Sequence, residues 1–161
     1  MNEKSISKEK LKDVSQKLKD SKVLVVDDDR WIHQIMEKFF NNAGIRSYFA
    51  HNPYEAVNLA STNVPDIVIL DLRLPDITGD KLLKILKALP VMKNTKFIIL
   101  SGNIDRKTLG DTYRNGASGY ITKPFTLAML LQKLEAAVND DVIIEMDLSQ
   151  MKDSEIDDLD K

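Results

Sequence analysis

The sequence predicts a doubly wound α/β fold built on a five-stranded, mostly parallel sheet. Short apolar runs that suit buried strands alternate with segments whose apolar residues recur at helical spacing. Such alternation of strand and helix is typical of a parallel sheet with helices on both faces. The chain is 161 residues long, close to the size of one domain.

The five predicted strands are short and apolar, far below the roughly 20 residues that cross a bilayer. They are Lys22–Val26, Ile45–Ala50, Asp66–Leu70, Lys96–Leu100 and Gly119–Thr122.

Helical patterns separate these strands, and two of them carry capping signals. From Trp31 to Phe40 the apolar residues recur three and four apart, and Gly44 stands at the place of a C-cap. The next helix opens with Asn52 as N-cap and Pro53 in its first turn. Further helices are predicted at Asp80–Ala88, Asp105–Asn115 and Thr126–Val138.

Charge and composition divide the chain into an N-terminal extension (1–21), a folding domain (22–138) and an acidic tail (139–161). The tail carries nine acidic residues and two lysines, whereas the domain holds most of the aromatic and β-branched residues. In the extension, Leu11, Val14 and Leu18 share one helical face. We expect this helix to dock on its own domain or on a partner, and the tail to be a flexible interaction segment lying on a basic surface or a partner.

Composition also excludes several classes of function. The absence of cysteine excludes disulfides, thiolate zinc sites and cysteine nucleophiles. The net charge of −2 gives no overall basic field for nucleic acid, and no apolar segment suits a membrane or a signal peptide. We therefore expect a cytoplasmic protein with neither a nucleic-acid nor a membrane partner.

Acidic, hydroxyl and lysine side chains follow the predicted strands where these strands end. Asp27 and Asp28 come directly after the first strand, and Asp71 after the third. Ser101 follows the fourth strand, and Lys123 follows the fifth. Because the carboxyl ends of parallel strands meet at one edge of the sheet, we expect these side chains to form one cluster.

The chemistry of this cluster suits a divalent cation and a bound phosphoryl group. Crowded carboxylates repel one another, and a cation removes that cost. Because the ligands are all oxygens, the expected metal is Mg²⁺, Mn²⁺ or Ca²⁺. Lys123 supplies a positive charge and Ser101 a hydroxyl donor for an anion, which makes Asp71 a candidate covalent acceptor.

Four segments in this order resemble the receiver domains of two-component response regulators, the CheY-like superfamily. They are VLVVDDD, IVILDLRLPDITG, ILSG and GASGYITKPF. Each is weak alone, but together they cover about residues 22–138 in the order and spacing of that family. The resemblance implies a flavodoxin-like fold. Because neither tail has room for a DNA-binding or catalytic output domain, we expect a stand-alone receiver whose output is contact with another protein.

The resemblance also implies roles for the acidic residues. Asp71 would accept a phosphoryl group from a phosphohistidine on a histidine kinase or a histidine phosphotransfer protein. Asp27, Asp28 and Asp71 would hold Mg²⁺, with Mn²⁺ as a possible substitute, and Arg73 would add its backbone carbonyl. Arg73 and Asn103 occupy positions that tune the lifetime of the phosphoryl group in this family.

The remaining implied roles concern the phosphate and the switch. Ser101 and Lys123 would contact the phosphoryl oxygens, and Gly102 would leave their approach open. The bond before Pro124 is expected to be cis, and Tyr120 would report the state of the site. The switch surface would be the face formed by the helix at 105–115, the fifth strand and the helix at 126–138.

We also expect a particular position or structural role for each of four nearby side chains. Asp29 is expected to cap the following helix and not to bind metal. His33 and His51 are expected to be exposed. Trp31 is expected to pack, with a sensing role as the alternative.

Two other functions remain open at this stage. A haloacid dehalogenase-type phosphatase would use the acids at 27–29 with Ser101 and Lys123, but it needs an acidic pair soon after its lysine. Here no acid occurs between Lys123 and Glu135. A receiver that serves as a phosphate sink or scaffold without output is the second alternative. In each receiver reading, the expected catalysis is limited to self-phosphorylation and self-dephosphorylation.

Overall fold

The computed structural model describes residues 7–102 and 105–139, which form a five-stranded parallel sheet with six α-helices. The strand order is β2-β1-β3-β4-β5. The strands are β1 (Lys22–Val26), β2 (Arg46–Ala50), β3 (Ile67–Asp71), β4 (Lys96–Ser101) and β5 (Gly119–Thr122).

The helices alternate with the strands, after one helix that precedes the sheet. They are α1 (Lys8–Leu18), α2 (Arg30–Ala43), α3 (Pro53–Asn63), α4 (Gly79–Ala88), α5 (Arg106–Arg114) and α6 (Leu127–Val138). A short 3₁₀ turn follows α4 at Pro90–Met92. The predicted doubly wound α/β fold is confirmed.

Alternate residues of each strand point to opposite faces of the sheet, and both faces are buried. On one face Val23 and Val25 pack in a core with residues of α1, α2 and α6. On the other, Leu24 and Val26 pack with residues of α3 and α4. Burial on both faces explains why the central strands β1, β3 and β4 are nearly continuous apolar runs.

Local capping sets the start and end of the helices as the sequence predicts. Asp29 accepts a hydrogen bond from the amide of Trp31 at 2.8 Å and so caps α2. Gly44 ends that helix with a φ of 69°, a left-handed conformation that suits glycine. Asn52 caps α3 by accepting from the amide of Glu55 at 2.9 Å.

Helix α1 packs on the domain itself. Val14 and Leu18 are fully buried in the same core as α2 and α6. At the edge of this contact Lys17 Nζ lies 3.1 Å from a carboxylate oxygen of Glu135 on α6. The predicted tail from 140 onward lies outside the described residues, and within the described ranges no helix is long and apolar enough to cross a bilayer.

Candidate functional site

The ends of four parallel strands bring the predicted site residues to one edge of the sheet. Asp71 is the last residue of β3 and pairs with Leu100 of β4, which places Ser101 one position further along. Ser101 pairs with Thr122, so that Lys123 follows at the same edge. Asp27 comes directly after β1, and its amide donates to the carbonyl of Ala50 at 3.1 Å.

Three carboxylates of this edge lie close enough together to hold one metal ion. An oxygen from each of Asp27, Asp28 and Asp71 lies within 4.8 Å of the others. Asp27 and Asp71 are buried, whereas Asp28 is exposed. An all-oxygen set with one exposed member fits a hard cation such as Mg²⁺, which usually keeps several waters.

Lys123 joins the two buried carboxylates. Its Nζ lies 2.8 Å from Oδ2 of Asp27 and 3.1 Å from Oδ2 of Asp71. Burial alone would lower the pKa of Lys123, but these hydrogen bonds and charges outweigh it and raise that pKa above 10.5. Lys123 is therefore a permanent positive charge at the site.

Each of the two buried aspartates is held by a local turn of the same kind. Oδ1 of Asp27 accepts from the amide of Asp29 at 2.9 Å, and Oδ1 of Asp71 accepts from the amide of Arg73 at 2.9 Å. Each carboxylate thus has one oxygen on a backbone amide and the other on Lys123. Burial raises the pKa of Asp71, with a further contribution from the Asp27 charge, against the opposing effect of the Arg73 amide and Lys123.

Most of the residues expected around a phosphoryl group lie in or directly after β4 and β5. Ser101 is buried at the end of β4, and its carbonyl accepts from the amide of Lys123 at 2.8 Å. Gly102 is exposed, and a Cβ built there would have Lys123 Cβ as its nearest contact at 3.8 Å. The Lys123–Pro124 peptide bond is cis. Tyr120 is half-buried on β5, whereas Asn103 lies outside the described residues.

One residue that sequence reasoning missed is Gly79, the first residue of α4. A Cβ there would overlap the carbonyl oxygen of Asp71 and lie 2.5 Å from Cα of Leu72. The amide of Gly79 donates to the carbonyl of Leu72 at 2.9 Å. The only signal in the sequence is a glycine eight residues after Asp71, which does not reveal this close approach.

The expectation that His33 is exposed is wrong, whereas His51 is exposed as predicted. His33 is 6% exposed, its ring centroid lies 5.2 Å from that of Phe49, and its Nδ1 lies 3.2 Å from Nε2 of His51. Burial lowers the pKa of His33, and the neighbouring His51 lowers it further. The spacing of His33 to Met36 and Phe40 places it on the buried stripe of α2, a signal present in the sequence.

The expectation that Trp31 packs is also wrong, because this residue is 67% exposed. Its indole lines an apolar groove of about 410 Å³ beside the site. The other lining residues are Ile32, Ile35, Lys123, Pro124, Phe125 and Leu127. Lys123 therefore borders both the groove and the carboxylate site.

Comparison with known proteins gives a family match that covers most of the chain. Residues 23–135 match the family described as the response regulator receiver domain. The chain is 32% identical over 117 residues to the cell cycle transcriptional regulator CtrA of Caulobacter vibrioides, covering 73% of this chain and 50% of that protein. It is 28% identical over 106 residues to sporulation initiation phosphotransferase F of Bacillus subtilis, covering 66% and 84%.

Solved structures show the same fold. The chemotaxis protein CheY4 of Vibrio cholerae superposes with a TM-score of 0.70 at 28% identity, covering 73% of this chain and 98% of that one. The receiver domain of the Francisella response regulator 1452 gives 0.67 at 33% identity, covering 75% and 98%. The chain spans about half the length of CtrA, so the output of that whole protein does not carry over.

The matched region contains Asp27, Asp28, Asp71, Ser101 and Lys123, the residues that the fold brings together. The haloacid dehalogenase-type alternative leaves Asp71, which the fold places in this cluster, without a role. The chain belongs to the response regulator receiver domain family.

Proposed function

We propose that this chain is a phosphorelay receiver in which Asp71 accepts a phosphoryl group from a phosphohistidine on a histidine kinase or a histidine phosphotransfer protein. The observation that carries the proposal is the Lys123 ammonium, which contacts Asp71 and Asp27 together at the carboxyl edge of the sheet. It holds the two carboxylates in place beside a position that a phosphoryl group can reach.

The proposed reaction is a transfer between two protein side chains. An oxygen of Asp71 bonds to phosphorus as the phosphorus–nitrogen bond of the phosphohistidine breaks, and the electron pair of that bond returns to the imidazole. Lys123 neutralises charge on the phosphoryl oxygens, and the Ser101 hydroxyl donates to them. Asp27, Asp28, Asp71 and the backbone carbonyl of Arg73 would hold Mg²⁺, which supplies further charge neutralisation.

The proposed output is a change on the face formed by α5, β5 and α6. Two features support it: Ser101 and Lys123 are joined by a backbone hydrogen bond, and Tyr120 lies on β5 three residues before Lys123. A phosphoryl group that draws Ser101 inward therefore acts directly on the strand that carries Tyr120. We propose a cytoplasmic protein as the partner of this face.

Intact-mass analysis after incubation with Mg²⁺ and acetyl phosphate tests the acceptor. We expect one phosphoryl group on the wild type and none on Asp71→Asn. Asp76→Asn, which removes an exposed carboxylate from the same loop, serves as the matched control and should be phosphorylated like the wild type. A phosphoryl group that persists on Asp71→Asn contradicts the proposal.

A phosphate sink without output is the second candidate, and binding separates it from a switch. A switch binds its partner more tightly after phosphorylation or addition of beryllofluoride, whereas a sink does not.

We further propose that Arg73 and Asn103 set the lifetime of the phosphoryl group. Equal decay rates for wild type and Arg73→Ala would contradict that role for Arg73.

A further inference from the structure

A polar cavity lies at the edge of the sheet opposite Asp71. Its volume is about 370 Å³, and it is lined by Lys87, Lys93, Asn94, Thr95, Lys96 and Ser118. Lys96 is the first residue of β4 and Ser118 directly precedes β5, which places the cavity at the amino edge of the strands. We call it the lysine pocket, since three of its six described lining residues are lysines and none is acidic.

The position of Lys87 in the lysine pocket is set by its surroundings. Its Nζ lies 5.4 Å from the centroid of the Phe97 ring, within reach of a cation–π contact. Its stem crosses Gly116, where an added Cβ would overlap Cε of Lys87 and lie 2.9 Å from its Nζ. The loop beneath is fixed because the hydroxyl of Thr95 donates to the carbonyl of Pro65 at 2.7 Å. The ammonium of this exposed lysine therefore lies beside Phe97 and Gly116 at the lysine pocket.

The described chain ends at this same edge. Helix α6 begins beyond the carboxyl end of β5 and runs back along the sheet. Its Glu135 pairs at 3.1 Å with Lys17, which lies five residues before the start of β1. The last turn of α6 is therefore close to the amino edge, and the segment that begins at residue 140 leaves the domain there.

The segment 140–161 carries a net negative charge, which is complementary to the positive charge of the lysine pocket. It contains nine acidic residues and two lysines. When extended, a chain of 22 residues spans roughly 3.3 Å per residue, which is more than enough to cross one edge of a small domain. A ligand tethered this closely has an effective concentration on the order of millimolar, so that even weak contacts keep it bound.

We propose that the acidic segment 140–161 binds the lysine pocket of its own chain. The attraction is between carboxylates of the segment and the ammonium groups of Lys87 and Lys93, and it weakens as salt screens these charges. Because the lysine pocket and Asp71 lie at opposite edges of the sheet, the bound segment leaves the phosphoacceptor site open.

Paramagnetic relaxation in the full chain tests this contact. The chain has no cysteine, so that Ser154→Cys gives a unique attachment point for a spin label in the segment. We expect amide signals around Lys87, Lys93 and Ser118 to broaden at 50 mM salt and to recover by at least half at 500 mM. Broadening that is absent, or centred on lysines of α1 such as Lys12, overturns the proposal.

Charge reversal and isotope mixing complete the test. Lys87→Glu with Lys93→Glu should abolish the broadening, whereas Lys38→Glu with Lys81→Glu, two exposed lysines outside the lysine pocket, should leave it unchanged. Phosphorylation by acetyl phosphate should be equal in both double variants, which also shows that each one folds. If a spin-labelled chain broadens an isotope-labelled, unmodified chain equally well, the occupant is the segment of a second copy and the proposal is wrong.

Discussion

At the scale of single residues, Lys123 sets the charge balance of the site. Two buried carboxylates with Asp28 beside them would repel one another strongly without a cation. The ammonium contacts both buried carboxylates at once and offsets one of their charges. Lys123 therefore compensates the charge of Asp71 only in part, and burial still raises the pKa of this carboxyl.

This imbalance makes the stability of the protein depend on pH through Asp71. A carboxyl whose pKa is raised in the folded state binds its proton more tightly there than in the unfolded chain, so that stability falls as the pH rises above the usual 3.8. In a chelating buffer at pH 7 we expect Asp71→Asn to be more stable than wild type by on the order of 1 kcal/mol. Below pH 3.8 the difference should vanish.

Urea unfolding at several pH values measures this difference, with Asp76→Asn as the exposed control that should match wild type throughout. Added Mg²⁺ should reverse the order, because a cation that binds the folded wild type stabilises it by mass action and the variant lacks one ligand. An Asp71→Asn protein less stable than wild type in the chelating buffer would show that the Asp71–Lys123 pair is net stabilising.

Trp31 is the second residue whose position has a functional consequence. An indole that is 67% exposed beside Lys123 can contact a protein that delivers a phosphohistidine to Asp71. We expect Trp31→Ala to slow transfer from a phosphotransfer protein about tenfold, which corresponds to about 1.4 kcal/mol. Phosphorylation by acetyl phosphate should be unchanged, because the indole does not hold the carboxylates.

Transfer rates from one phosphotransfer protein to wild type, Trp31→Ala and Tyr54→Ala measure this effect. Tyr54 is 83% exposed and does not line the groove, so that its removal controls for the loss of an exposed aromatic ring. Equal slowing with acetyl phosphate and with the protein donor would place the defect of Trp31→Ala in the site itself.

At the scale of elements, the central strands β1, β3 and β4 were predictable because burial on both faces makes them largely apolar. The predicted and observed strands differ at their ends. Ile45 belongs to the turn after α2, since its amide donates to the carbonyl of Phe40 at 2.9 Å. Asp66 precedes β3 because its side chain accepts from the amide of Lys22 at 2.8 Å. Such contacts between distant segments leave no local pattern in the sequence.

The candidate site was predictable for a related reason. Parallel strands that alternate with helices must end at one edge, so that the polar residues after the strands are neighbours whatever their separation in the chain. The role of Gly79 was not predictable. Glycine is required there because α4 starts against the end of β3 and leaves no room for a Cβ. The exposure of Trp31 likewise depends on how the loop after β5 passes beside α2.

The contact between α4 and β3 yields a prediction for Gly79→Ala. The added Cβ would meet backbone atoms of Asp71 and Leu72, which cannot move as a flexible side chain can. We expect a loss of about 1–3 kcal/mol in the free energy of unfolding, together with slower phosphorylation because the backbone of Asp71 is displaced. Gly102→Ala, whose Cβ would have no contact closer than 3.8 Å, should keep wild-type stability in the same urea titration. A stable Gly79→Ala protein with normal phosphorylation would show that α4 can shift freely.

At the scale of the whole molecule, the folding unit extends beyond the region that matches the family. The match begins at residue 23, whereas α1 spans Lys8–Leu18 and contributes Val14 and Leu18 to the core shared with α2 and α6. The ion pair of Lys17 with Glu135 lies at the surface and adds little, since exposed pairs contribute about 0–1 kcal/mol. The attachment of α1 therefore depends on its apolar residues.

Removal of one such residue should destabilise the whole domain and not merely release α1. Leu18 is fully buried, and replacing a buried leucine by alanine costs about 2–5 kcal/mol through lost burial and the cavity left behind. We expect Leu18→Ala to lower the free energy of unfolding by that amount in a single cooperative transition, followed both by tryptophan fluorescence of Trp31 and by circular dichroism. Lys12→Ala, an exposed change on the same helix, should stay within about 0.5 kcal/mol of wild type. If Leu18→Ala instead unfolds in two steps, or loses less than about 1 kcal/mol, then α1 is an appended helix whose detachment leaves the receiver domain intact.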